Sequence, residues 1–128
     1  MKRDFDLIRL VLLEVENNAD PQNWIDPEPV GYESVEVSYH VMLLEQAGLI
    51  EGWNRSAIGV FRWSARNLTW RGHEFLEAAR DDTVWTRTKN TIGQLGPGII
   101  FDVLEDELRA EAKIVVENAR RERADAAR

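Results

Sequence analysis

Apolar residues recur at helical spacing in several stretches of this chain and alternate in one, and the breaks between them fall at glycine, proline and short polar runs. Asp4 can cap a first helix through about Asn17, with Phe5, Ile8, Leu12 and Val15 on one face. Asn17-Asn-Ala-Asp-Pro21 ends it, and the following run holds Pro21, Pro27, Pro29 and Gly31, which predicts a loop with at most a short extended piece. Val37, Val41, Leu44 and Ala47 then share the face of a second helix over 34–47, and Gly48 stands where a left-handed C-cap would stop it. Leu49–Trp53 and Ile58–Ser64 are strand candidates joined by Asn54–Ala57; in the second, Phe61, Trp63 and Ala65 alternate with Val60, Arg62 and Ser64. Thr69 is a plausible N-cap for a third helix carrying Phe75, Leu76 and Ala79, with Gly72 inside it as a close-packing position.

Asp81-Asp-Thr83 offers another cap, and Val84, Thr88 and Ile92 continue a helical face up to the break at Gly96-Pro97-Gly98. Beyond it Phe101, Leu104, Leu108, Ala112, Val115 and Ala119 recur at steps of three and four, in a helix ending on the cations Arg120-Arg-Glu-Arg123. The pattern predicts an α+β fold: a winged-helix-like domain over 1–95, with a two-stranded wing, and an additional C-terminal amphipathic helix over 99–128. That last helix has no later partner in the sequence. Its stripe, Phe101, Leu104, Leu108 and Val115, therefore makes candidate oligomer-interface residues, and a homodimer is the expected assembly.

Composition adds limits. The 128 residues are 44% hydrophobic and 9% aromatic, enough for a core. There are no cysteines, which excludes disulfides, thiolate metal sites and cysteine nucleophiles. Met1-Lys-Arg-Asp-Phe-Asp6 places acids where a signal peptide needs its apolar core, and the longest apolar run is far too short to span a bilayer, so a cytoplasmic protein without membrane contact is expected. The net charge of −7 is unevenly spread: residues 1–52 balance at −8, 53–90 at +3 and 91–128 at −2. No acid occurs between Glu51 and Glu74, where Arg55, Arg62, Arg66 and Arg71 all fall.

Val37-Ser-Tyr-His-Val41, Leu44 and Ala47-Gly-Leu-Ile50, followed by Leu68-Thr-Trp-Arg-Gly72, resemble the end of the recognition helix and the Leu-Thr-x-x-Gly after it in metal-sensing and multiple-drug-resistance repressors. A closer resemblance is to the domain-of-unknown-function 2513 family of bacteria and their prophages. It is carried by Met1-Lys-Arg-Asp-Phe-Asp-Leu-Ile-Arg9, Ser38-Tyr-His40, Ala47-Gly-Leu-Ile-Glu-Gly52, Leu68-Thr-Trp-Arg-Gly-His-Glu-Phe-Leu76 and Arg80-Asp-Asp-Thr-Val-Trp85. It covers roughly residues 1 to 104 and implies a winged-helix-like fold; it supplies no activity, because that family has none assigned.

The chain departs from such repressors in two ways. They place a full helix before the recognition helix, where this sequence has its proline-rich run. Glu33 and Glu36 also sit at the start of the candidate reading helix, where they would repel phosphate. The nucleic-acid candidates are Ser38, Tyr39 and His40, off the apolar stripe, for base edges, and Arg55, Arg62, Arg66 and Arg71 for phosphates. Against these stand bland readings: a solvated helix face, and arginines packed on Trp53, Trp63 and Trp70. His73, Asp81 and Asp82 read as structural or capping residues. No nucleophile motif, phosphate loop or zinc-ligand spacing is present, so neither an enzyme nor a metal or cofactor is expected. The favoured reading is a small prophage-type regulator binding double-stranded DNA; the alternative is a protein–protein interaction module on the same scaffold. A continuous basic face joining the wing to Tyr39 and His40 would favour the first, and an acidic helix face the second.

Overall fold

The computed structural model describes residues 1–95 and 101–126, and the side chains of these other than 93–95 and 101–104. Its elements are mixed α and β: α1 (Phe5–Glu16), α2 (Ser34–Gln46), β1 (Ile50–Asn54), β2 (Trp63–Leu68), α3 (Trp70–Ala79), α4 (Asp82–Leu95) and α5 (Phe101–Ala126). They form two compact units, Met1–Leu76 and Glu77–Arg128. The division expected between residues 95 and 99 lies by number inside the second of them.

The polar signals read from the sequence do the local work expected of them. Asp4 caps α1, its carboxylate accepting from the Leu7 N–H at 3.2 Å. Gly48, at φ 77°, ends α2. Its N–H reaches the Glu45 carbonyl and the Leu49 N–H reaches that of Leu44, both at 3.0 Å, the paired bonds of a Schellman close. The Thr69 hydroxyl accepts from the Gly72 N–H at 3.1 Å and donates to the Gly48 carbonyl at 2.6 Å. One side chain thus caps α3 and ties its start to the end of α2. Gly72 faces the chain at Leu49: a Cβ there would lie 2.0 Å from the Leu49 carbonyl oxygen.

The core of the first unit gathers Leu7, Ile8, Val11, Leu12 and Val15 of α1 with Val37, Val41 and Leu44 of α2, together with Leu49, Ile50, Ala65, Leu68, Phe75 and Leu76. Phe5, expected on the buried face of α1, is half-buried instead, and Leu7 and Val11 take its share of that face. α2 packs against α1, β1 and β2, which makes it the central helix of this unit.

β1 and β2 form one antiparallel pair in the register Gly52↔Ala65, Trp53↔Ser64 and Asn54↔Trp63. The second strand begins at Trp63, five residues later than the alternation predicted. The residues before it are spent on a tight reversal. Ala57 and Val60 exchange both backbone hydrogen bonds at 2.9 Å across Ile58 and Gly59, and Gly59 supplies the φ of 78° that the turn needs. The register slips between Gly52 and Ile50, which pairs with Leu68, so Arg66 and Asn67 together oppose Glu51. Ile25, in the proline-rich run, adds a single bridge to the outer edge of β2 through two bonds with Ala65.

In the second unit Asp81 caps α4 through the Val84 N–H at 3.0 Å. α4 packs on α5. Val84, Trp85, Thr88 and Ile92 of α4 and Leu108 of α5 are buried, as is Glu105, which holds Arg109 at 3.2 Å.

Candidate functional site

The helix residues expected to face outward are mostly turned in. His40 has no exposed surface and Ser38 keeps 7%. Both serve as ties between elements. His40 Nε2 accepts from the Asp4 N–H at 2.8 Å while Nδ1 lies 2.8 Å from the Glu36 carbonyl, which assigns the neutral Nδ1–H tautomer. The Ser38 hydroxyl accepts from the Trp63 N–H at 3.2 Å. The physical reason is the central place of α2. A helix packed on α1 from one side and on the hairpin from another buries a wider arc than its apolar stripe, and polar residues at the margins of that stripe are enclosed with it. Of the three candidates only Tyr39 keeps partial exposure. The remaining outer face of α2 carries Val35, Tyr39, Met42 and Gln46, with Glu33 and Glu36 at its N-terminal end and Glu45 on the side toward Gly52. The same negative field is felt nearby: burial first, and then the charges of Asp4, Asp6 and Glu36, push the Tyr32 phenol above its ordinary value.

The four arginines all lie in the first unit, each on a partner of its own. Arg62 pairs with Asp26 through Nε at 3.1 Å and through its terminal nitrogen, and Ser64 donates to the other oxygen of the same carboxylate. Burial would raise the Asp26 carboxyl. The hydrogen bonds from Arg62 and Ser64, with the Arg62 charge, outweigh it and hold the group below its ordinary value. Arg66 donates to Glu51 at 2.9 Å, helped by the bulge that sets it opposite, and lies 4.5 Å from the centre of the Trp24 ring. Trp24 in turn meets Trp53 at 5.4 Å, and Arg55 covers Trp53 at 4.5 Å. Arg71 donates to the Ala47 carbonyl at 3.0 Å, a cation on the C-terminal end of α2. Asp26, Glu51 and Trp24 are functional in this local sense and were not singled out from the sequence. The signal was there: a stretch with four arginines and no acid must draw its counter-charges from elsewhere in the chain.

Beside the exposed Asn54, Arg55 and Ser56, the hairpin offers apolar side chains to solvent. Ile58 is fully exposed, Val60 is 56% exposed and Phe61 40%. Beside them lies a cleft of about 170 Å³ whose walls include Pro27, Val37, Val60, Phe61 and Trp63, with Asp26, Glu28, Ser34 and Arg62 among its polar lining. The Trp63 indole N–H is buried without a hydrogen-bond partner.

In α5, Leu108 is buried within its own chain and Val115 half-buried, while Ile114 and Val116 are exposed; the Phe101 and Leu104 side chains lie outside the described residues. Among the described residues no group of three or more His, Asp or Glu side chains is placed to hold a metal ion, and no helix is long and apolar enough to cross a membrane.

The first unit is a small mixed α and β arrangement: a central helix, a braced hairpin, and apolar side chains at the hairpin's end. The family model described as "Hypothetical protein (DUF2513)" matches residues 2–98. A Haemophilus influenzae (strain ATCC 51907 / DSM 11121 / KW20 / Rd) protein, named only as an uncharacterized protein, is 41% identical over 106 residues, covering 82% of this chain and 90% of its own. The chain belongs to the DUF2513 family. No solved structure matches it.

Proposed function

We propose that this chain is a protein-interaction module on a winged-helix-type scaffold, with α2 in the place of a reading helix and the β1–β2 hairpin in that of a wing. The observation that carries the reading is the outer face of α2: Ser38 and His40 point inward, Val35, Tyr39, Met42 and Gln46 face outward, Glu33 and Glu36 stand at its start, and the helix has no lysine or arginine. A duplex approaching this face would meet Glu33 and Glu36 at the start of the helix and no lysine or arginine along it, where nucleic-acid affinity needs cations that release counterions. Arg62 and Arg66 would have to leave Asp26 and Glu51 before gripping a phosphate. Clustered exposed apolar side chains such as Ile58, Val60 and Phe61 suit a protein surface instead. Assembly as a homodimer and a cytoplasmic location belong to the same proposal.

The acid-free stretch from Gly52 to His73 favours a second reading, a regulator of double-stranded DNA using Tyr39, Arg55, Arg62, Arg66 and Arg71. A titration of labelled mixed-sequence duplex with the full chain at low salt separates the two. The module reading expects no saturable binding. The DNA reading expects an affinity whose log–log salt slope is about −0.9 per phosphate contact and flattens by about 2 in Arg62→Ala/Arg66→Ala.

A further inference from the structure

We propose that the hairpin's apolar end docks into the neighbouring cleft of a second copy of this chain, giving a twofold dimer through the first unit; this rests on the protein-interaction reading above. A twofold interface uses one patch on both partners, so a protrusion and the recess that receives it must lie side by side on the same surface. Here they do. Ile58 stands out from the turn between Ala57 and Val60, and Val60 and Phe61, the residues just after the turn, are also walls of the cleft. Crossing two such hairpins about a twofold axis sets each Ile58 against the partner copy's cleft.

The protrusion is stiff enough to act as a wedge. Its turn is closed by the reciprocal bonds of Ala57 and Val60, and its arms by Arg55 N–H to the Arg62 carbonyl at 2.8 Å and Arg62 N–H to the Ser56 hydroxyl at 3.0 Å. Little conformational entropy is therefore lost when it docks. The cleft suits a side chain better than a small-molecule ligand: about 170 Å³ lies below the roughly 300–1,000 Å³ of typical ligand pockets. Charge points the same way. The projecting arm carries Arg55, which rests on Trp53 and whose charge reaches only as a longer-range influence to Asp26, while the recess carries Glu28, which forms no ion pair among the described residues. Asp26, the other acid of the lining, is already held by Arg62. The twofold would bring Arg55 of each copy to Glu28 of the other, twice.

Sedimentation equilibrium of the full chain from micromolar to near-millimolar concentration reads the assembly, with circular dichroism confirming that each variant folds. The expected result is a dimer that Ile58→Asp weakens by roughly a hundredfold, since two buried side chains are lost at once. Glu28→Lys should also weaken it, and Glu28→Lys combined with Arg55→Glu should restore it. Because the chain has no cysteine, an Ile58→Cys chain mixed with a Ser34→Cys chain should oxidise to the mixed disulfide in preference to either self-disulfide. A monomer at every concentration, or a dimer indifferent to Ile58→Asp, overturns the proposal. A dimer lost instead in Val115→Asp would place the seam on α5. None of these outcomes bears on the duplex titration, which decides the interaction reading separately.

Discussion

The two ends of one hairpin treat their side chains in opposite ways. At its base Arg62, Arg66 and Ser64 turn their polar groups onto Asp26 and Glu51, both supplied from outside β2. At its tip Ile58, Val60 and Phe61 turn hydrocarbon onto water. A sequence with arginines through a wing invites the reverse picture, cations outward and apolar groups inward. The difference teaches that an arginine's position along a strand says little about its availability. What decides is whether a carboxylate elsewhere in the chain folds onto it.

The comparison can be broken first at the helix beneath the hairpin. His40→Ala removes a fully buried ring and leaves the Asp4 N–H without its acceptor, so a loss of about 2–4 kcal/mol in urea unfolding is expected. A cost under 0.5 kcal/mol would return His40 to the surface and reopen base contact. Next is the hairpin's foot. Gly72→Ala sets a methyl against the Leu49 carbonyl just before β1, and should cost about 1–3 kcal/mol by the same measurement.

Much of the local structure of both units was legible in the sequence. Asp4, Gly48, Thr69 and Asp81 carry local chemistry, a cap or a left-handed stop, that acts within a few residues and so shows in the order of the letters. Gly72 was legible as an anomaly, a glycine inside a helix that only a close neighbour explains. The site was less so. His40 and Ser38 are buried because α1 and the hairpin flank α2 together, and periodicity along one helix cannot report two neighbours. The pairing of Arg62 with Asp26 joins residues 36 positions apart through a loop without regular pattern. The late start of β2 was hidden because apolar residues in a turn look like a strand until the turn's hydrogen bonds are known.

The base should respond to acid in a defined direction. Asp26 has a lowered native value, so its contribution is complete above the unfolded-state carboxylate value of about 3.9 and is lost as pH falls through the lower native one. Urea midpoints taken from pH 6 to pH 2 should fall below about pH 4, and fall less steeply in Arg62→Ala, which lacks the cation that lowers the group. Parallel limbs in the two proteins would mean that Arg62 does not hold Asp26 in solution. The smallest effect is expected at the tip: Ile58→Asp should leave the unfolding free energy of dilute protein within about 0.5 kcal/mol, as a fully exposed residue away from caps and strain should.

Urea unfolding of dilute full-length protein, comparing Arg62→Ala/Arg66→Ala with Ile58→Asp, tests the contrast between base and tip most directly. Two partly exposed ion pairs and one ring contact are removed from the base, which should cost about 1–2 kcal/mol, while the tip variant stays near wild type. If the double arginine variant unfolds like wild type and Ile58→Asp is the one that loses stability, the arginines are surface groups free for a ligand, the tip belongs to the core, and the account is wrong.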